Sequence, residues 1–242
     1  MNAAQLVLAT IDRPGKAMEG VVQRPRIWWI MAVLLAISLA VLTALSVDLA
    51  VELANERSEV MMERMLQAQS LSEEQMQMVR ERGQTMTTPR YWLTTLGIGL
   101  PLAALGWVVR GTVIHFSSMA MGGVSTWPAT FAITAWAHFS FVVRNLLQAG
   151  YVRWGGALIE HQGISFLVAE SDWLANSRNL TYSALAQIDP FVLWHLALLT
   201  IGIAVATRLS RGKAAVLAII VWAFFLGMSL VPTLIGRAFM PG

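Results

Sequence analysis

The side chains in this sequence best able to do chemistry are ionisable groups embedded in apolar segments. His138 and Arg144 both lie in the apolar stretch that begins at Trp127. Ionisable groups are costly inside hydrocarbon, so in a membrane helix they often line a pathway or make a buried polar contact. We therefore predict His138 and Arg144 as candidate intramembrane polar residues. Six positions separate them, so they do not share a helix face.

Each of these residues also has a simpler structural explanation. A neutral His138 can hydrogen-bond a neighbouring helix without relaying protons, and Arg144 can extend its guanidinium from the end of its span to the interface. His195 follows Asp189-Pro190, a pair typical of a helix start. His115 has no partner in its sequence neighbourhood. We favour the structural roles, with a proton or substrate relay as the alternative for His138 and an internal functional charge for Arg144.

The sequence lacks the short motifs that mark common catalytic centres: no His-Glu-x-x-His, Gly-x-Ser-x-Gly, phosphate-binding loop or dinucleotide glycine pattern occurs. There is no cysteine, which removes thiolate nucleophiles and thiolate metal sites. Methionines are frequent between 61 and 86, but no compact His or Cys cluster accompanies them, so a copper(I) site is disfavoured. We predict a protein that is not an enzyme, with no catalytic, cofactor-binding or metal site and no cofactor.

The elements that must position these residues are membrane helices. The chain has 242 residues, of which 56% are hydrophobic and 13% charged, too little polar surface to cover a soluble globule. A helix needs roughly 20 apolar residues to cross a bilayer. We predict an all-α polytopic transmembrane bundle of about five spans in one domain, residues 1–242. The predicted spans are 27–49, 91–109, 127–147, 191–209 and 214–235.

Short sequence patterns predict the elements and contacts around the spans. Pro14 predicts the start of a short interfacial helix over 14–24. The four residues 210–213 separate the last two spans, which must form an antiparallel hairpin. Pairs of small residues four apart, such as Gly202 with Ala206 and Ala223 with Gly227, allow close helix contact.

The distribution of charge predicts the orientation. Basic residues lie in short segments on one side, and the positive-inside rule makes that side cytoplasmic; they are Arg13, Lys16, Arg24, Arg26, Arg110, Arg208, Arg211 and Lys213. The opposite side receives the long segments 50–90 and 148–190, with most of the acidic residues. The N-terminus is then cytoplasmic and the C-terminus extracytoplasmic. The basic charge is dispersed at helix ends, so we expect no nucleic-acid binding.

The segment after span one predicts a helical arm outside the membrane. Residues 48–70 contain neither Pro nor Gly, so helix can continue out of the bilayer. One side carries the acidic stripe Glu52, Glu56, Glu59 and Glu63; the other carries the candidate partner-docking face Ala54, Met61, Met65 and Ala68. The alternative is that this face is covered by the chain's own segment 148–190 and by a second short helix from Ser72 to about Gly83.

Several short stretches resemble the bacterial Yip-domain family, whose eukaryotic relatives interact with Rab-type GTPases. They are Ile11-Asp12-Arg13-Pro14, Gln23-Arg24-Pro25-Arg26, Leu71-Ser72-Glu73-Glu74-Gln75, Asp189-Pro190-Phe191, Leu193-Trp194-His195 and Leu209-Ser210-Arg211-Gly212-Lys213. The resemblance implies a five-span bundle with a cytoplasmic N-terminus and supplies no active site. The chain lacks the long cytoplasmic N-terminal region of the eukaryotic proteins, so Rab binding is not transferred. For bacterial relatives the resemblance implies accessory membrane subunits, some associated with ABC-type export systems.

Two functional hypotheses follow. The first is a non-enzymatic accessory or scaffolding subunit of a complex in the bacterial inner membrane, contacting lipids, other integral subunits such as an ABC permease and ATPase, and an extracytoplasmic adaptor. The second is an autonomous small transporter, channel or lipid-handling protein with His138 and Arg144 on a polar path. The odd number of predicted spans cannot divide into two equal repeats, which disfavours the second.

Overall fold

The computed structural model describes residues 2–69 and 85–239, with side chains described for 2–64 and 85–235. Within these ranges every regular element is helical. In chain order the helices are α1 (Ala3–Asp12), α2 (Pro14–Gln23), α3 (Trp28–Gln69), α4 (Thr88–Trp92), α5 (Gly99–Ala120), α6 (Trp127–Ala137), α7 (Phe139–Gly155), α8 (Trp173–Arg178), α9 (Leu180–Leu185), α10 (Pro190–Thr207) and α11 (Arg211–Phe239). A π-helical segment, Leu93–Ile98, joins α4 to α5, and 3-10 turns cover Pro25–Ile27 and Ser165–Val168.

Among the residues that the structure describes, four helical stretches are long and apolar enough to cross a membrane, which agrees with the predicted all-α polytopic bundle. They are Pro25–Arg64, Thr88–Ala120, Pro190–Thr207 and Arg211–Ile235. Three of them contain the first, second and fifth predicted spans, and Pro190–Thr207 covers the fourth, 191–209, except for its last two residues. The hairpin between the last two is as tight as expected, because α10 ends at Thr207 and α11 begins at Arg211.

The predicted third span is not one continuous helix. The chain over 127–155 forms two helices, α6 and α7, which break at His138 (φ −75°, ψ 1°). Residues 129–140 are all buried, so this pair is the centre of the bundle. Its core includes Ile133 and Trp136, and α6 packs against α2, α3, α5 and α10. Apolar side chains from four other helices thus replace lipid around the break.

Contacts between the loops define the two ends of the bundle. At one end, the turn after α5 meets the α10–α11 hairpin: Val124 N–H bonds Thr207 O at 2.8 Å, and Lys213 Nζ bonds Met121 O at 3.0 Å. At the other end, Arg144 meets Asp189 at the start of α10. The α6–α7 pair therefore runs from one end of the bundle to the other, alongside the four long apolar helices.

The helix that contains the second predicted span extends beyond it at both ends. Helix continues from Thr88 to Ala120 through the π-helical segment, which lies just before Pro101, a residue without the N–H that a regular turn requires. Arg110 was expected to flank the membrane on the cytoplasmic side. It lies inside α5 instead, as does His115, which contacts Ser125 Oγ at 3.2 Å.

The N-terminal helices pack on the bundle. α2 begins at Pro14 as predicted, but its apolar side is buried by protein: Ala17, Met18 and Val21 are fully enclosed against α6 and α10. The apolar side of α2 therefore packs on α6 and α10, and the interfacial position of this helix stays a prediction. α1, which precedes it, was not predicted.

Candidate functional site

The break between α6 and α7 is closed by its own histidine. The backbone N–H of His138 bonds Ala135 O at 3.1 Å, three residues back. Thr134 O, which a regular turn would have used, accepts from His138 Nδ1 at 2.8 Å. The ring therefore satisfies a buried backbone carbonyl, and this fixes the neutral tautomer with hydrogen on Nδ1 and a lone pair on Nε2.

A second histidine, His195, donates to another backbone carbonyl that the break leaves free, that of Ala137. The N–H of Phe141 bonds His138 O at 2.9 Å, which leaves Ala137 O to accept from His195 Nδ1 at 2.9 Å. His195 lies on α10, so this bond joins the break to a neighbouring helix. Its ring centroid is 4.6 Å from that of His138, and both residues are 6% exposed. The expected structural role of His138 therefore has a geometric basis that includes His195.

Arg110, on α5, completes the cluster. Its Nη1 lies 3.4 Å from His138 Nε2, where the lone pair of the neutral ring can accept. The guanidinium also stacks over the ring of Phe225 on α11, 4.5 Å from the centroid. Among the residues that the structure describes, Arg110 forms no ion pair. The cluster consequently carries one positive charge without a carboxylate to balance it.

A cavity of about 140 Å³ adjoins these three residues. It lies between α5, the helix break, α10 and α11. Apolar side chains make up most of its wall, with a few polar groups that converge on it. The lining residues are Arg110, His138, Phe141, Gln187, Val192, His195, Leu199, Val221, Trp222, Phe225, Leu226 and Ser229. Such a setting suits a small polar group held in an apolar enclosure.

Arg144 is placed apart from the cavity. It pairs with Asp189, Nη1 to Oδ2 at 3.1 Å, rather than reaching alone to the interface. Asp189 also accepts from Val192 N–H at 2.7 Å and so caps α10, as the Asp-Pro pair predicted. The guanidinium lies over the ring of Phe141, 4.7 Å from the centroid, and that ring stacks on His195. The Phe141 ring also meets the His138 ring edge-on, with centroids 5.4 Å apart, so it contacts both candidate intramembrane polar residues.

The arm is the outer half of α3. The four residues of the acidic stripe, Glu52, Glu56, Glu59 and Glu63, are all exposed. On the candidate docking face, Ala54 and Met61 are half-buried. The side chains of Met65 and Ala68 lie outside the described residues, as does the predicted second helix from Ser72 to about Gly83. The described part of the face is therefore covered in part by the chain itself.

Three contacts hold the arm. Asn55 exchanges two hydrogen bonds with the backbone of Met86, at 2.7 and 3.1 Å. Arg57 lies over the ring of Trp173, and Arg64 Nη1 bonds Asp172 Oδ2 at 2.9 Å. That hydrogen bond holds the pKa of the Asp172 carboxyl below its usual value. The segment 156–189 thus clasps the arm, leaving a groove of about 640 Å³ beside Glu52 and Glu56.

Two residues of the cavity were not expected from the sequence. Arg110 was read as a flanking charge because an apolar run ends just before it. His195 was read only as part of a helix start. The signal that could have identified them is their combination with His138: three basic side chains in three separate apolar segments. No group of three His, Cys, Asp or Glu side chains that could hold a metal ion occurs among the residues described.

The fold and the intramembrane cluster define the class: a multi-pass helical membrane protein, in contact with lipid on its outer surface. The chain belongs to the Yip1 domain family, whose model matches residues 8–231. The resemblance inferred from the short motifs is therefore confirmed. Comparison with curated proteins gives no match, and comparison with solved structures gives none either.

Proposed function

We propose that this protein is a non-enzymatic accessory or scaffolding subunit of a complex in the bacterial inner membrane, with an ABC-type export system as that complex. Its partners are then an integral permease with its ATPase, and an extracytoplasmic adaptor at the arm. The N-terminus lies in the cytoplasm and the C-terminus outside. Neither catalytic residues nor a cofactor form part of the proposal.

The observation that supports this proposal is the arm. α3 has 42 residues, about 63 Å at 1.5 Å per residue, roughly twice the thickness of a bilayer core. Its outer half presents an exposed acidic stripe beside the Ala54–Met61 face, and the contacts with Met86, Trp173 and Asp172 hold it in place. A preorganised helix with two chemically distinct sides binds a partner at a lower entropic cost than a flexible tail.

Copurification tests the arm directly. Tagged full-length protein is extracted from its native membrane in mild detergent, and the proteins retained in near-equal amount are identified by mass spectrometry. We expect a permease and its ATPase with wild-type protein and with the matched control Glu59→Gln on the acidic stripe. Met61→Glu places a charge on the docking face and should remove them. If Met61→Glu retains every partner and folds as wild type, the arm is not the docking surface.

A second candidate function, a small transporter, channel or lipid-handling protein, is favoured by one observation: the cavity at the helix break contains ionisable side chains. In this case His138 lies on the path that the transported molecule follows through the protein. His138→Phe keeps an aromatic ring while removing both nitrogens, so it should abolish flux or lipid transfer in reconstituted vesicles. Unchanged transport by folded His138→Phe protein would eliminate His138 as a relay.

A further inference from the structure

The cavity at the helix break contains an unbalanced positive charge inside a membrane helix. Arg110 is in α5, and the described residues provide it with a histidine nitrogen and an aromatic face but with no carboxylate. An arginine at the centre of a membrane helix costs about 3 kcal/mol. Burial of an unpaired charge is tolerated when a counterion or hydrogen-bond acceptors accompany it. The adjoining cavity is where such an anion fits.

The histidines restrict what kind of anion it is. Both use Nδ1 as donor to a backbone carbonyl, so neutral rings present only a lone pair at Nε2. The Nε2 of His138 already accepts from Arg110, whereas none of the residues that the structure describes forms a hydrogen bond to that of His195. A fully ionised oxyanion would face the His195 lone pair unfavourably. An oxyanion that retains a hydroxyl hydrogen can donate to it.

We propose that this cavity binds a phosphate group in its singly charged form, which keeps a hydroxyl, with Arg110 as the countercharge and His195 Nε2 as the acceptor of that hydroxyl. A phosphomonoester has its second pKa near 6, and a low-dielectric site favours the form with less charge. One negative charge then meets one guanidinium, and one hydroxyl meets one acceptor. A cavity of about 140 Å³ exceeds the roughly 30 Å³ occupied by a water molecule and has room for a group of this size.

The phosphate could belong to a lipid headgroup, as in phosphatidic acid, or to free inorganic phosphate. α11 borders the cavity, and its outward side is exposed and apolar, including Phe224 and Met228. A lipid whose acyl chains lie along this side could place its headgroup beside Ser229, a cavity residue that is itself exposed. The chemistry at Arg110 and His195 is the same for both sources. This inference is independent of the arm and its partners.

Binding of full-length protein in nanodiscs is the test. The discs are phosphatidylcholine with a few per cent of either phosphatidic acid or phosphatidylglycerol. Phosphatidylglycerol is the control, because it is a phosphodiester with one charge and no acidic hydroxyl. Native mass spectrometry counts the lipid molecules that the protein retains. Inorganic phosphate is titrated separately with labelled phosphate. We expect phosphatidic acid or inorganic phosphate to bind. Phosphatidylglycerol should bind about tenfold less, because its phosphate has no hydroxyl to donate to His195 Nε2. Binding of phosphatidic acid identifies a lipid headgroup as the source of the phosphate, and binding of labelled inorganic phosphate identifies the free ion.

Variants connect that binding to the cavity. Arg110→Gln should weaken binding by about tenfold or more, while the matched control Arg90→Gln, which removes an exposed charge from α4, should leave it unchanged. Ser229→Phe fills the cavity from an exposed position and should abolish binding with Arg110 intact, so the test does not depend on the folding of Arg110→Gln. Measurable and equal binding of the two lipids, no binding of either phosphatidic acid or inorganic phosphate, or binding unaffected by Ser229→Phe would overturn the proposal.

Discussion

At the scale of single residues, two histidines repair a broken helix. A break inside the membrane releases backbone carbonyls, and water is not available there to satisfy them. His138 and His195 each donate Nδ1–H to one such carbonyl, at 2.8 and 2.9 Å. Their structural role therefore explains why both rings are buried, and it leaves the Nε2 atoms available to Arg110 and to the cavity.

The repair predicts a cost for removing His195. His195→Leu removes the donor to Ala137 O and leaves this carbonyl without a hydrogen bond in an apolar setting. We therefore expect a loss of about 1 kcal/mol in the free energy of unfolding. His195→Gln carries an N–H on a flexible stem and should recover part of it. Unfolding by a graded denaturing detergent measures both. Equal stability of His195→Leu and wild type would show that the Ala137 carbonyl does not depend on the ring.

At the scale of elements, close contact between α6 and α10 depends on a missing side chain. A Cβ at Gly202 would lie 3.0 Å from Ile133 Cβ and 3.4 Å from Met18 Sδ, whereas one at Gly227 on α11 would meet nothing within 4 Å. The two small-residue pairs noted in the sequence are thus different: the pair at Gly202 packs helices within the chain, and Gly227 has open space beside it.

Gly202→Leu and Gly227→Leu are a matched pair of substitutions. Overpacking a tight interface typically costs about 1–3 kcal/mol, so Gly202→Leu should lower the midpoint of thermal unfolding by several degrees. Gly227→Leu should leave it nearly unchanged, because the new side chain extends into open space. Tryptophan fluorescence of purified protein in detergent follows the transition. A similar drop in both variants would contradict the placement of α6 against α10.

The clasp on the arm predicts a response to acid. The hydrogen bond from Arg64 lowers the pKa of Asp172. The Arg64–Asp172 ion pair therefore persists at and above pH values near the usual carboxyl pKa of about 4. It is lost as the pH falls through the lowered pKa of Asp172. Spin labels at Ser58→Cys and Ser177→Cys, in a chain with no other cysteine, report the distance across the clasp. We expect a narrow distribution at pH 7 that broadens below about pH 4. Asp172→Asn should give a broader distribution than wild type at pH 7; an equally narrow one would show that the Arg64–Asp172 pair does not hold the arm.

The elements whose signals are local could be predicted from the sequence. Pro14 and Asp189-Pro190 start helices where expected, because capping oxygens and a fixed φ act within one turn. The break at His138 could not be predicted, because 129–147 contains neither Pro nor Gly and the freed Ala137 carbonyl is satisfied by His195 on another helix. Arg110 was misplaced for a similar reason: hydropathy ends a span at a charge, whereas tertiary packing continues the helix past it.

At the scale of the whole molecule, the two ends of the bundle differ in chemistry. One end has the Met121–Lys213 contact and the basic residues of the hairpin. The other has the acidic arm, the clasp and the Arg144–Asp189 pair. Two helical passes, α4–α5 and α6–α7, separate the arm from the segment 156–189, and the Arg64–Asp172 and Arg57–Trp173 contacts place both at the same end of the bundle. The adaptor site and the orientation of the cavity both depend on this arrangement.

Single-cysteine labelling of intact cells tests that arrangement most directly. Ser58→Cys on the arm and Glu160→Cys after α7 are exposed at one end, and Thr126→Cys before α6 and Ser210→Cys in the hairpin are exposed at the other. A membrane-impermeant maleimide should modify the first two in intact cells and the second two only after the inner membrane is opened. Modification of Thr126→Cys and Glu160→Cys from the same side would mean that α6–α7 does not cross the membrane, which would contradict the topology and the proposed position of the arm.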